Sequence, residues 1–295
     1  MVTIKLFWWL GNQMFQYALW KSLSKKNNTE LYLDIWNFHH DIRKYELSIF
    51  NIDANIATKA QIPFYQKEIK NSFLFKLWYP FQRFFKKIDP NYIIENPKHP
   101  KIHRWMYDFN TEILTLTGNK YLEGQRQSEK YFQEICDTIR KDFTLKKPIE
   151  DKKNVDVIKK IKSTESVSIH VRRWDYLWSG FEWICEKEYY EKAINHIKKK
   201  RKNPIFFIFS EDIKRCKENL NIWNNADFID WNKKENSYKD MILMSLCNDN
   251  IIANSSFSWR WAWLNNNSNK IVIAPKKWHQ NLDLKGNIPE EWLRI

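Results

Sequence analysis

The chain has 295 residues and a formal net charge of +14, with 43% hydrophobic and 28% charged residues. That length can bury a core as one large domain or as two α/β lobes, and the composition excludes a disordered tail. No apolar run approaches the ~20 residues that a membrane span needs.

Val2 to Phe7 reads as a short buried strand. Asn12 to Lys25 follows as a helix, with Phe15, Leu19 and Leu23 at four-residue spacing. Glu30 to Ile35 returns as a strand and closes one β-α-β unit. From Phe38 to Asn119 the pattern is irregular and rich in aromatics and Pro, which suits lobe decoration or acceptor-facing loops. Gln127 to Asp142 is a predicted helix. Lys146 to Lys153, with Pro148, is the best linker candidate, dividing the chain into lobes 1–147 and 148–295. The second half is more regular. Predicted strands Val167–Val171, Ile205–Phe209, Phe228–Ile229, Ile251–Ala253 and Ile271–Ala274 alternate with helices Glu188–Lys200, one from Asp212, Ser237–Leu246 and Ser256–Leu264. Strands alternating with helices imply a parallel sheet covered on both faces. Ligands then bind beyond the carboxyl ends of the strands.

The basic charge points to nucleic acid, an anionic membrane surface or anionic substrates. Lys198 to Lys202 end a helix-like segment, where cations favour the negative end of the helix dipole. The lysines from Lys146 to Lys162 lie among acidic residues and read as a solvated surface. No compact basic-aromatic module supports nucleic-acid binding, while contact with acidic phospholipid headgroups stays open. Cys136, Cys185, Cys216 and Cys247 stand far apart with no C-x-x-C pair, which fits reduced thiols in the cytoplasm rather than a zinc ribbon or a disulfide scaffold. The first residues run straight into a strand pattern without a secretory leader, so any membrane-bound substrate is expected to be met from the cytosolic face.

Polar loops follow the predicted strands. Leu10-Gly11-Asn12-Gln13 is a Gly turn opening a helix, a candidate phosphate cradle or a plain strand-to-helix turn. His170-Val171-Arg172-Arg173-Trp174-Asp175 puts His170 and Arg172 on one strand face and Arg173 on the other. A fork of guanidinium donors stabilises the charge of a departing diphosphate without a metal, the alternative being a structural Arg–Asp pair. Ser210-Glu211-Asp212 could receive guanine N–H groups or ribose hydroxyls, or cap the next helix. Ser255 and Ser256 suit pyrophosphate binding as well as N-capping. No spaced carboxylate pair of the D-x-D kind stands at a strand end.

The segments LGNQMFQYA, SIHVRRWDY, FSED and IIANSSFSW, with RKYEL, YLEG, QSEKYF and the stretch Asp240–Asn250, resemble the bacterial α-1,2-fucosyltransferases of glycosyltransferase family 11. The resemblance spans nearly the whole chain in order. It implies a GT-B-like fold of two Rossmann-type lobes with a donor cleft between them, the first lobe on the acceptor side and the second on the donor side. It implies GDP-L-fucose as donor, inversion at the fucose anomeric carbon and no obligatory metal cofactor. The acceptor it implies is a galactose-type hydroxyl of a surface glycan, often lipid-linked. Arg172 matches the arginine expected to hold the β-phosphate, with His170 and Asp175 its motif neighbours. Gly11, Asn12, Gln13, Asp212, Ser255 and Ser256 match donor-binding positions. Asp175 and Glu123 are the candidate bases, each also compatible with a structural role. The remaining readings are a different nucleotide-sugar donor and a catalytically impaired relative. The second is prompted by Trp8, Trp9, Trp174 and Trp261, which stand where the family has Gly, in a chain with only 5 Gly and 16 Trp.

Overall fold

A computed structural model describes the chain except residues 40–43, 67–71, 95–108, 126, 173–183, 221–224 and 281–285, with backbone alone at 39, 72–76 and 219. Two compact units emerge, Met1–Lys146 and Lys147–Ile295.

The first unit is built on a sheet of five strands: β1 (Val2–Lys5), β2 (Leu31–Asp34), β3 (Asn55–Ile56), β4 (Tyr92–Ile94) and β5 (Lys120–Glu123). All pairings are parallel, in the order β3-β2-β1-β5-β4. Helix α1 (Leu10–Lys26) joins β1 to β2 and is buried at every residue from Leu10 to Trp20. It ends in a Schellman motif. Thr29 N–H donates to the Ser24 carbonyl, Asn28 N–H donates to the Lys25 carbonyl, and Asn28 takes the left-handed φ of 47°. Helices α2 (Ser72–Ile88) and α3 (Cys136–Asp142) complete the unit.

The region expected to be irregular thus contains two strands and a 17-residue helix. The strands are two and three residues long, too short for an alternating pattern to show. The predicted helix Gln127–Asp142 is also corrected. It breaks into 3-10 turns at Glu129–Tyr131 and Gln133–Ile135 before α3. Phe132 and Ile135 leave helical geometry with φ of −135° and −123°, which turns Tyr131 and Phe132 both inward.

The second unit holds six parallel strands: β6 (Glu165–Val171), β7 (Pro204–Ser210), β8 (Ala226–Ile229), β9 (Asp249–Ile251), β10 (Val272–Ala274) and β11 (Leu293–Arg294). Their order is β11-β10-β9-β6-β7-β8. Counted from β6, this is the 3-2-1-4-5-6 arrangement of a doubly wound dinucleotide-binding sheet. Strand order reverses between β6 and β9, so a crevice is expected beyond their carboxyl ends. Helices α4 (Lys152–Lys162), α5 (Lys187–Lys200), α6 (Ile213–Asn219), α7 (Tyr238–Leu246) and α8 (Ser256–Leu264) connect the strands. Val167 and Ile169 of β6 pack with Phe206 and Ile208 of β7 and with Tyr190, Ile194 and Ile197 of α5. Both faces of the sheet are covered, which accounts for β7 reading as a continuous apolar run. α4 begins inside the candidate linker, where the Asp151 carboxylate accepts from Asn154 N–H as N-cap.

Candidate active site

At the reversal point of the second sheet, β6 and β9 run side by side in register, Ile169 opposite Ile251. Three residues beyond Ile169 is Arg172, and four beyond Ile251 is Ser255. The structure brings these two together: Arg172 Nη1 donates to Ser255 Oγ at 3.4 Å. Ser255 is also the N-cap of α8, its Oγ accepting from Phe257 N–H, and no acidic residue lies in the first turn of that helix. A guanidinium, a hydroxyl and a helix N-terminus therefore share one place. Each favours an anion, through charge, hydrogen bonding and the helix dipole.

The surroundings fix these groups. The Ser258 hydroxyl donates to the Ala253 and Ser255 carbonyls, locking the turn from β9 into α8. Ser256 is half-buried at the first helical position. Tyr190 OH donates to the His170 carbonyl and pins the end of β6. The His170 ring is buried and lies 5.4 Å from that of Phe257, so it packs under the α8 N-terminus. Burial pushes the Cys185 thiol up to about 12, opposed by a backbone hydrogen bond from Asn254. That thiol stays protonated and is not a nucleophile.

Asp212 lies at the end of the neighbouring strand, since Val171 of β6 pairs with Ser210 of β7. Its Oδ1 accepts from Arg215 N–H and caps α6, and its own N–H donates to Ser210 Oγ. The capping role is therefore real, and it uses one of the two carboxylate oxygens. Asp175, with Arg173 and Trp174, lies outside the described residues.

In the first unit the expected phosphate cradle at Gly11, Asn12 and Gln13 takes a different form. Helix α1 starts at Leu10, so Gly11 is already helical. Leu10 N–H donates to the Glu46 carboxylate at 3.1 Å, and the N–H groups of Asn12 and Gln13 donate to the Trp9 carbonyl. The Gln13 amide donates to the Trp8 and Lys44 carbonyls and accepts from Glu46 N–H. Asn12 Oδ1 accepts from Gln127 Nε2. These side chains clamp two loops together, and the anionic position at the head of α1 is filled by the chain's own Glu46. Burial raises the Glu46 pKa, and the bond from Leu10 opposes the rise. Sequence reasoning missed Glu46; its motif was visible, its partner 36 residues earlier was not.

Glu123 ends β5, facing Ile94 of β4 across the pairing, and lies one place beyond the Ile4–Leu122 pair. Its carboxylate accepts from Lys86 Nζ at 3.0 Å and from Tyr92 OH. Burial works against its charge, but Lys5 and Lys86, with those two bonds, outweigh it and hold the carboxyl below its ordinary range. Asp34, at the end of β2, is bonded in the same manner by Tyr121 OH. A carboxylate so engaged is a poor proton acceptor.

The four family-Gly positions separate in kind. Trp8 has φ of 73°, in the left-handed region where an L side chain is strained. Trp9 is extended, with φ of −72°, and exposed. Trp261 is helical and fully buried, so its indole is packed rather than strained. Trp174 lies outside the described residues.

The family model for glycosyl transferase family 11 matches residues 1–295. The chain belongs to glycosyltransferase family 11. It is 34% identical over 315 residues to an Escherichia coli alpha-1,2-colitosyltransferase, covering all of this chain and 98% of that one. It is 30% identical over 305 residues to the Escherichia coli O-antigen biosynthesis glycosyltransferase WbnK, covering 97% of each. The Rattus norvegicus galactoside alpha-(1,2)-fucosyltransferase 1 is 27% identical over 182 residues, covering 57% of this chain and 47% of that one. Among solved structures, a variant of Arabidopsis thaliana FUT1 in complex with GDP superposes with a TM-score of 0.52 at 10% identity, over 99% of this chain and 75% of that one. The family 11 chain is thus a sugar-transferring enzyme with a GT-B-like α/β fold. Among its described residues no cluster of His, Cys, Asp and Glu could hold a metal ion.

Proposed function

We propose that this family 11 enzyme transfers L-fucose from GDP-L-fucose, with inversion, onto the 2-hydroxyl of a galactose unit in a lipid-linked precursor of a surface polysaccharide. The observation that carries the reading is the meeting of Arg172 with Ser255 at the N-terminus of α8. In such a transfer the bond from the anomeric carbon to the β-phosphate oxygen breaks and negative charge grows on the diphosphate. Arg172, the Ser255 hydroxyl and the first amides of α8, starting at Ser256, are donors suited to that charge. Asp212, one strand away, is the residue we assign to the guanine N–H groups or a ribose hydroxyl, through the carboxylate oxygen that does not cap α6. His170 supports the arginine's strand from beneath. Gly11, Asn12 and Gln13 shape the first lobe, which we assign to the acceptor, rather than holding phosphate. With Glu123 bound to Lys86 and Tyr92, Asp175 is the base we assign to the acceptor proton.

A second reading is favoured by the 34% identity to a colitosyltransferase. Colitose is fucose without its 3-hydroxyl, so the same leaving-group site serves either sugar. Purified enzyme offered GDP-L-fucose, the colitosyl nucleotide, and UDP- and ADP-sugars with a galactoside acceptor separates the cases. Transfer from GDP-L-fucose with an α-1,2 linkage by NMR supports the first reading. Transfer from the colitosyl nucleotide alone replaces it, and transfer only from UDP- or ADP-sugars rejects both.

A further inference from the structure

Helix α2 has its apolar residues on the wrong side for a core helix. Among the described residues, five of the twelve exposed large hydrophobics lie on it: Leu77 (64%), Tyr79, Phe81, Phe84 (57%) and Ile88 (53%). Leu77, Phe81, Phe84 and Ile88 recur at spacings of four, three and four, which places them in one stripe along the helix. The rest of the helix already has its partners. Trp78 and Phe85, beside the stripe, pack against the cluster of Tyr65, Tyr92 and Tyr121, and Lys86 holds Glu123. Phe81 and Phe84 touch Phe85 along one edge, and their outer faces stay exposed. From Ser72 to Ile88 there is no acidic residue, and exposed Arg83 and Lys87 flank the stripe beside Pro80 and Phe84.

We infer that α2 seats this enzyme on an anionic bilayer, lying in the plane of the interface. Apolar and aromatic side chains in a row, with cations at their border and no carboxylate, match acyl chains beneath phosphate headgroups. A second copy of the same face fits poorly, because a two-fold contact would bring Arg83 and Lys87 towards their own counterparts. No helix among the described residues is long and apolar enough to cross a membrane, so this one rests on the surface. The inference needs nothing from the identity of the donor sugar. Its consequence is that a lipid-linked acceptor is met in two dimensions.

The test is co-sedimentation of the full chain with phosphatidylglycerol-containing and with pure phosphatidylcholine vesicles. The protein should pellet with the anionic vesicles and be released by salt. Leu77→Ser with Phe84→Ser should lower partitioning at least tenfold, since each loses a buried apolar side chain. Arg83→Gln with Lys87→Gln removes no packing and should cost about fivefold per charge. Both double variants should unfold at the wild-type temperature and keep wild-type transfer to a soluble galactoside. The inference is overturned if wild-type protein stays in the supernatant with anionic vesicles, or if both double variants pellet as it does. It is equally overturned if sedimentation velocity shows a dimer that Phe84→Ser abolishes.

Discussion

Helices α1 and α8 each follow a strand beside the reversal point of a parallel sheet, β1 in the first unit and β9 in the second. Sequence gives both an equal claim to bind phosphate. The structure separates them by what the chain places at each N-terminus. At α1 it supplies Glu46, which accepts the Leu10 N–H and occupies the position an anionic ligand would take. At α8 it supplies a cation, Arg172, bonded to the N-cap Ser255, and no acid in the first turn. A helix terminus is therefore a potential anion site only until the charge of its neighbours is known. One of these ends is completed by the chain's own carboxylate, and the other carries a cation at its N-cap.

The largest effect is expected where that contrast is greatest. Arg172→Ala should lower turnover on the order of 10²–10³-fold, the typical loss when one preorganised donor to developing charge is removed. Stability should change little, because the guanidinium is half-buried at a strand end. Near-normal turnover with an intact circular dichroism spectrum would remove Arg172 from the mechanism.

Glu46→Ala probes the other helix and should show the opposite balance. It leaves the Leu10 N–H buried without its acceptor and withdraws a charge from the favourable end of the dipole, together worth about 2 kcal/mol. Urea unfolding should record that loss, while turnover per folded molecule stays within a few-fold of wild type. A fall in turnover matching that of Arg172→Ala, at unchanged stability, would mean that α1 also serves the substrate.

Asp240 tests whether a half-buried carboxylate in the second unit is structural. It accepts from Asn232 Nδ2, in a network with Asn154, Asp151 and Lys239 that joins α4 to α7. Burial, opposed by the Asn232 bond and reinforced by Asp230, pushes its carboxyl up from 3.8 to about 7. The folded state thus keeps a proton that the unfolded state has already lost. Stability from this group falls as pH rises from about 4 to about 7, and the penalty is complete above that. Asp240→Asn should remove the slope and stabilise the protein at pH 8 by on the order of 1–2 kcal/mol, with little change at pH 4. Thermal melts across that range measure it. An equal effect at both ends would show that the proton is not the cause.

What was legible in the sequence follows from the range over which each signal acts. β7 is a long apolar run, β6 carries the β-branched residues Val167, Ile169 and Val171, and Asp212 and Ser255 are caps adjacent to their helices, so local pattern sufficed. Arg172 and Ser255 are 83 residues apart; the sequence placed each just after a strand, and the sheet order then showed those two strands to be neighbours at a reversal point. Glu46 and Lys86 could not be anticipated in this way. Each works through a partner on a different element: Glu46 stands in the visible RKYEL segment, but nothing there names Leu10 as its partner, and Lys86 stands in no motif. β3, β4 and β11 were too short to register, and the outward stripe of α2 was hidden in a stretch whose aromatics looked irregular.

The smallest effect concerns the loop that separates β1 from α1. Trp8 and Trp9 are adjacent and both stand at family-Gly positions, but only Trp8 has a left-handed φ, 73° against −72°. Replacing either by Gly also deletes an indole, so the backbone contribution has to be isolated by comparing Gly with Ala at the same position. At Trp8, Ala keeps the Cβ that crowds the following carbonyl, a cost of roughly 1–2 kcal/mol, and Gly relieves it. Gly also gains unfolded-state freedom, which offsets about 0.4–1 kcal/mol of that relief. Trp8→Gly should therefore be more stable than Trp8→Ala by about 1 kcal/mol. At Trp9 no strain exists, only the entropy term remains, and Trp9→Ala should be the more stable by about 0.5 kcal/mol. The opposite ordering at the two neighbours is the signature sought in chemical denaturation. If Ala equals or exceeds Gly at position 8, the left-handed turn there stores no strain. The tryptophan would then be as well accommodated as Trp261 in its helix.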